Sequence, residues 1–215
     1  MADGVKTRRY ESPRRREQAA ATRRAILEAA QALFERDGYA ATTIAAVARE
    51  AGVATKTVYL AFETKSGLLR ALWHLLLRGD EDDIPIGERA WYRAMLDEPD
   101  PARRLAIGAR GARTVKERAG GLLRVIRTAA LVDADAAALW GRIESDFHTN
   151  QMAIVETVHR DGALRRGLGV ARATDILWTL NHPDVWHLLV VERGWTPAAW
   201  ERWFLAAVRE QLLAD

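Results

Sequence analysis

A chain of 215 residues with 49% apolar and 28% charged residues is long enough to bury a substantial core and has the balance of an ordinary globular protein. It has no cysteine, which excludes a disulfide framework and any thiolate metal or redox centre. No apolar run approaches the ~20 residues of a membrane span, and the basic start (Lys6, Arg8, Arg9) is not followed by the apolar segment of a secretory signal, so a cytoplasmic location and no membrane partner are expected. The net charge is only +3, but residues 1–65 carry 12 Lys/Arg against 8 Asp/Glu while the remainder is almost balanced. Positive charge is gathered where a phosphate-binding half would need it.

In chain order, residues 1–16 are poor in apolar side chains, contain Gly4 and Pro13, and are expected to form a flexible basic arm. Arg8, Arg9 and Arg14 to Arg16 are available to a nucleic-acid backbone, or simply to solvent. A first helix is expected from about Arg16 to Arg36. Ala25, Ile26, Ala29, Ala30, Leu33 and Phe34 form its apolar stripe, and Gly38 ends it. Arg23 and Arg24 on it are either phosphate contacts or a solvated face.

The stretch from Thr42 to Phe62 divides into two short helices around Gly52. Thr42 is placed to cap the first, in which Ile44, Val47 and Ala48 follow at helical spacing. Gly52 stops it, since glycine alone takes the left-handed conformation without steric cost. The second runs from about Thr55 to Ala61, with Val58 and Phe62 on one face and Thr55, Lys56, Thr57 and Tyr59 on the others. This is the layout of a helix-turn-helix that carries hydrogen-bonding and basic side chains into a major groove. A fourth helix, about Ser66 to Arg78 with Thr64 as its cap, is apolar on most sides through Leu68, Leu69, Leu72, Trp73, Leu75, Leu76 and Leu77. It must be covered on two faces, as a connector between domains would be. The acidic segment GDEDDIP, with Pro85 and Gly87, marks a boundary.

From residue 86 onward the pattern is helical throughout: Glu88–Leu96, Pro101–Arg118, Gly121–Val132, Asp135–Arg160, Ala171–Asn181, Pro183–Glu192 and Pro197–Leu213. Pro101, Pro183 and Pro197 stand at first helical positions, where the missing N–H costs nothing. The fold class is therefore all-α: a helix-turn-helix domain over 17–80, and a helical bundle over 81–215. In the bundle, Trp140, Ile143, Phe147, Ile154 and Val158 form a stripe with Gln151 on it and His148 beside it. Trp178, His182 and Trp186 recur at i, i+4 and i+8. Aromatic side chains with a few polar groups among them suit a cavity for an apolar or aromatic small molecule, and equally suit plain core packing. The last segments carry more apolar surface than one core absorbs (Ile176, Leu177, Leu180 and Leu188 before Trp200, Trp203, Phe204, Ala207, Val208 and Leu212), which points to a second copy of the chain as partner.

No catalytic pattern rises from the sequence. His74, His148, His159, His182 and His187 have no metal-ligand spacing, and no nucleophile elbow, Walker loop or dinucleotide fingerprint occurs. Asp82 and Asp83 are linker charges, and Gly108 and Gly111 in GARGAR are expected to be helix contacts. No metal, no cofactor and no enzymatic activity are expected.

The ordered features Gly38-Tyr39, Thr42-Thr43, Ala51-Gly52-Val53, Thr57-Val58-Tyr59, Phe62 and Lys65, behind the helix ILEAAQALFER, resemble the DNA-binding domain of the TetR family of transcriptional regulators over roughly the first 80 residues. The resemblance implies a homodimeric, ligand-responsive repressor that binds a palindromic double-stranded DNA operator and is released by a small-molecule effector. It implies that Thr43, Tyr59 and Lys65 hold the DNA backbone, while Thr55, Lys56 and Thr57 face base edges. It also implies effector contacts in the second domain, for which Trp140, Phe147, His148, Gln151, Trp178, His182 and Trp186 are the candidates. Its last two long helices would form the dimer's four-helix bundle. The chain departs from the family at Ala54, where Ser is usual, and at Leu60 and Ala61, where an aromatic or His is usual. Those departures keep open a second reading, a small-molecule binding or scavenging protein with a vestigial head. An activator, or a regulator without effector, would share the same DNA chemistry.

Overall fold

The computed structural model describes residues 13–78 and 86–214. Arg8 and Arg9 of the expected arm, and the 79–85 stretch of the expected boundary, lie outside the described residues. Among the described residues every element is helical apart from one isolated bridge, Leu164 to Leu213. None of the described helices is long and apolar enough to cross a membrane. The chain divides into two compact units, Met1–Leu68 and Leu69–Asp215.

The first unit holds α1 (Pro13–Ala41), α2 (Ile44–Glu50), α3 (Thr55–Phe62) and the start of α4 (Lys65–Arg78). Helix α1 begins at Pro13, so Arg14, Arg15 and Arg16 stand on its first turn rather than on an arm. Proline presets the helical φ and lacks an N–H that a first turn would leave unpaired anyway. The helical span breaks at Gly38 (φ 81°, ψ 167°), where the expected stop was placed. Ile26, Ala30, Leu33 and Phe34 from α1 are buried, as are Val47 and Ala48 from α2 and Val58 and Phe62 from α3. They form a small three-helix core.

Two details of the helix-turn-helix differ from expectation. The cap of α2 is Thr43, whose Oγ1 accepts the Ala46 N–H at 3.1 Å, and not Thr42. Thr42 is buried, with its hydroxyl donating to the Gly38 carbonyl at 2.9 Å, so it ties the end of α1 instead. At the other end of α2, Val53 N–H donates to the Ala48 carbonyl (2.9 Å) and Gly52 N–H to the Arg49 carbonyl (3.2 Å), with Gly52 at φ 66°. That pair of bonds is a Schellman stop, and it aims the chain directly into α3. Ala54 precedes α3 with no side-chain cap, as its methyl group dictates. Thr64 does cap α4, through Oγ1 and the Gly67 N–H at 2.9 Å.

The second unit contains a 3₁₀ turn (Ile86–Glu88), α5 (Ala90–Leu96), α6 (Pro101–Ala129), α7 (Ala134–Arg160), α8 (Val170–Leu180), α9 (Pro183–Trp186), a π-helical turn (His187–Glu192) and α10 (Pro197–Leu212). The expected break between Arg118 and Gly121 is absent, and α6 runs unbroken through Gly120-Gly121. Trp186 lies beside Gly120, where a Cβ would stand in ordinary contact, 3.5 Å from its Nε1. Gly108 and Gly111 face α5 more tightly: a Cβ would fall 3.1 Å from Met95 Sδ at Gly108 and 2.7 Å from the Trp91 ring at Gly111. Asp100, Asp133 and Thr196 cap α6, α7 and α10 with side-chain oxygens. The core draws Leu105 and Ala109 from α6, Ile154, Val155 and Val158 from α7, Ala173 and Leu177 from α8, and Trp200, Phe204, Val208 and Leu212 from α10. Trp200 and Phe204 stack at 4.9 Å, and Trp186 meets Trp200 edge-on at 5.0 Å.

Gly67 gives the sharpest test of the head's packing. A Cβ there would lie 2.2 Å from the Phe62 carbonyl oxygen, a backbone atom that cannot swing aside. Gly67→Ala is expected to destabilise the head by about 1–3 kcal/mol. Thermal melting of the first unit would show it, and an unchanged melt would mean that the α3–α4 corner has slack.

Candidate functional site

The face of the head that a groove would meet is built by α3. Its apolar positions, Val58 and Phe62, are buried, which leaves Thr55, Lys56 and Tyr59 exposed on the outer side together with Thr43 at the start of α2. Tyr59 is 52% exposed and Leu60 77%. Thr57 is half-buried: with Leu60 and Ala61 it borders a groove of ≈ 430 Å³ whose other wall is Arg15, Gln18, Thr22 and Arg23 of α1. Four of the six candidate DNA residues therefore come from α3, of which Thr57 is turned partly toward α1, while Thr43 and Lys65 stand at the starts of α2 and α4.

Lys65 and Arg23 have internal work. The Lys65 ammonium donates to the Tyr39 carbonyl at 2.8 Å and the Thr42 carbonyl at 3.1 Å, and lies 4.1 Å from the Tyr39 ring centre. It ties the first turn of α4 to the α1–α2 corner, and Tyr39 is held in turn against Phe34 at 5.6 Å. Arg23 donates to the Ala61 carbonyl at 3.2 Å and lies over the Phe62 ring at 4.4 Å, so it supports the C-terminal end of α3. A cation suits that end because the last carbonyls of a helix carry partial negative charge.

In the second unit, the candidate ligand residues are distributed over several environments. Trp140 and Trp186 line one cleft of ≈ 360 Å³, with Lys116, Glu117, Arg124, Arg127, Asp184, His187 and Val191. Phe147, His148 and Trp178 are not among its lining residues. His148 is exposed and 3.7 Å from Asp175, because it lies one position off the α7 stripe. Trp178 packs edge-on against His182 at 4.9 Å. His182 caps α9, where its Nδ1 accepts the Asp184 N–H at 3.2 Å. Its pKa is lowered, first by burial and against the opposing charge of Asp184. Gln151 is buried deeper, beside a void of only ≈ 20 Å³ that Asn181, Ile154, Leu177 and Phe204 also border.

The interior groups that sequence reasoning missed are Lys116, Asn181 and Arg104. Lys116 is 6% exposed. Its ammonium donates to Asn181 Oδ1 at 2.6 Å and lies 4.9 Å from the Trp200 ring centre, while Asn181 Nδ2 donates to Gln151 Oε1 at 3.2 Å. Burial pushes the Lys116 amine down to about 7. Arg104 is compensated differently, by Asp161 at 2.6 Å and by the Glu98 carbonyl. A signal for Lys116 did exist. Counting from Ala109 through Ala112, Ala119, Leu123 and Ile126, position 116 falls on the inward stripe of α6 at three- and four-residue steps. Nothing comparable announces Asn181, which stands at the end of α8.

Comparison with known proteins agrees with this anatomy. Residues 26–72 match the TetR_N family model, described as bacterial regulatory proteins of the tetR family. No curated protein matches the chain. Among solved structures, NalD of Pseudomonas aeruginosa, the secondary repressor of the MexAB-OprM multidrug efflux pump, is 20% identical with TM-score 0.69, over 93% of this chain and 99% of that one. A complex of SmeT with triclosan is 19% identical with TM-score 0.71, over 91% and 93%. A transcriptional regulator from Saccharomonospora viridis in complex with choline is 15% identical with TM-score 0.67, over 91% and 100%. The chain thus carries a TetR-type helix-turn-helix segment, and its all-helical fold is the one that such regulators have.

The buried amine makes the second unit's stability depend on pH in a defined sense. In the unfolded chain Lys116 keeps its proton to about pH 10.4, whereas in the fold it sheds it near 7. Between those values the unfolded state binds more protons, so stability rises with pH. Relative to Lys116→Met, the wild-type chain is expected to gain roughly 2–3 kcal/mol between pH 7 and pH 9.5. Denaturant titrations of both proteins at the two pH values measure it, and a constant difference would mean that the amine stays charged in the fold.

Proposed function

We propose that this chain, which carries the head of the bacterial TetR-type regulators, is a homodimeric, sequence-specific DNA-binding repressor released from a palindromic operator by a small-molecule effector. The observation that carries the reading is the outer side of α3, where Thr55, Lys56 and Tyr59 stand exposed on a helix held by the Schellman stop at Gly52 and the Arg23 support at Ala61. A recognition helix must be rigid before it meets a groove, since a helix of eight residues is marginal by itself.

In this reading Thr43 and Tyr59 hold phosphates, and Lys56 donates to guanine O6 and N7. Thr55 and Thr57 add hydroxyl and methyl contacts, and Leu60 offers an apolar surface to a thymine methyl. Lys65 acts by holding α4 to the corner that presents Thr43, because its ammonium already has carbonyl partners there. The dimer would form on α8 and α10. The core absorbs Trp200, Phe204, Val208 and Leu212, but Ile176, Leu180, Trp203 and Ala207 remain half-buried along those two helices. Two-fold symmetry supplies two heads and hence an inverted-repeat site.

Release is a population shift. The effector must bind the DNA-incompetent arrangement more tightly than the competent one. Helix α4, whose residues belong to both units, is the element through which that difference would pass. The relatives with triclosan and with choline support a small-molecule role for this kind of second domain.

Selection of bound duplexes from a random DNA pool tests the reading. The expected result is an inverted repeat with half-sites about one helical turn or slightly more apart. Lys56→Ala is expected to relax base preference at its position by about 1–3 kcal/mol. Lys65→Ala should weaken all sequences alike and leave the salt slope in place. Only salt-sensitive bulk binding, without enrichment, would move the scavenging-protein reading to first place.

A further inference from the structure

The geometry points to an organic acid as the effector: a small molecule with an aromatic or apolar body whose carboxylate enters from the Trp140–Trp186 cleft and becomes the acceptor for Lys116 Nζ. This rests on reading the second unit as the effector domain and adds the chemical class.

Three observations in that unit converge. Among the described residues Lys116 is a buried amine without a counter-charge: its hydrogen bond goes to a neutral amide, Asn181 Oδ1 at 2.6 Å. The nearby carboxylates are engaged elsewhere, Asp184 by Arg127 and His182, and Glu117 and Glu201 by Arg113. Breaking with the rule that buried charges are paired is informative, because Arg104 in the same unit obeys it through Asp161.

The second observation is an orphaned donor. Trp200 is fully buried, and its Nε1–H finds no acceptor among the described residues. The same ring lies 4.9 Å from the Lys116 ammonium. The ammonium thus meets the indole's face while the ring's own N–H stays unmet, so neither group is fully satisfied in this part of the interior.

The third is access. Lys116 and Trp186 both line the ≈ 360 Å³ cleft, which offers Trp140 and Leu123 as apolar wall and Arg124 at its side. One wall includes His187 and Val191 from the π-helical turn His187–Glu192. Such widened turns are frequent at functional sites. An acid entering along this wall would place its carboxylate at Lys116, leave Asn181 to Gln151, and bury its body against the indoles.

The test uses matched pairs of probes on the full-length protein: phenylacetate, indole-3-acetate and octanoate, each beside its primary amide. Tryptophan fluorescence and calorimetry report binding. The acid is expected to bind at least about tenfold tighter than its amide, the factor that a hydrogen bond to a charged group supplies. Lys116→Met should bring acid and amide within about twofold of each other while the amide's own affinity is kept. Asn181→Asp, nearly isosteric, places a carboxylate on Lys116 from within the chain and should abolish the preference even if Lys116→Met folds poorly. Acids no tighter than amides, an unaltered preference in either variant, or no binding of any acid up to millimolar concentration would overturn the proposal. Release of operator DNA is scored separately. An acid that binds at Lys116 yet leaves the DNA bound overturns its role as effector and spares the anion site. A neutral compound that releases DNA, with acids inert, does the reverse.

Discussion

Taking one ammonium group out of water constrains the whole second unit. Lys116 sits where α6, α8 and α10 come together, and among the described residues Asn181 and the face of Trp200 answer its charge. Desolvating a cation is costly, so the surrounding bundle must hold it through packing supplied elsewhere. The stacked Trp200–Phe204 pair, the Trp186 edge and the fully buried Leu122, Ile126 and Leu212 provide that packing. A domain that only had to be stable would place a leucine at position 116. The interior instead keeps a hydrogen-bonded polar chain from Lys116 through Asn181 to Gln151.

The head solves the opposite problem. It has little core, and its working side chains must be exposed, so its rigidity comes from a few directional bonds at corners. Thr42 ties α1 to its own end, Thr43 starts α2, and Gly52 ends it with paired carbonyl acceptors. Lys65 then locks α4 onto that corner and Arg23 locks α3 onto α1. Cations that composition alone assigns to phosphate binding are here partly spent on the head's own carbonyls and rings. Basic surface and basic framework are made of the same residue types, and only their partners distinguish them.

The two units answer the same question at different levels. The first has surface chemistry fixed by helix phase, so Val58 and Phe62 facing inward leave Thr55, Lys56 and Tyr59 facing outward. The second has an interior whose chemistry depends on which helices meet. Trp140 and Trp186 come from α7 and from α9, far apart in the chain, and line one cleft with Lys116, Gly120 and Leu123 of α6.

Read alone, the chain determined its helical class, the helix-turn-helix and its face, the turn at Gly52, the stop at Gly38 and the proline starts of α6, α9 and α10. Those follow from local rules, namely periodicity, caps and the φ that glycine and proline allow. The tertiary structure alone decided that Thr43 and not Thr42 caps α2, that Gly120-Gly121 stays helical, and that Lys116, Asn181 and Gln151 meet. A cap depends on which hydroxyl the preceding chain leaves free, and Thr42 is taken by Gly38. Glycine lowers helix propensity by only about 1 kcal/mol, and the packing along both ends of α6 carries the helix across the pair. Lys116 and Asn181 lie 65 positions apart in the chain and 2.6 Å apart in space, and no spacing rule along one helix can register a bond made between two.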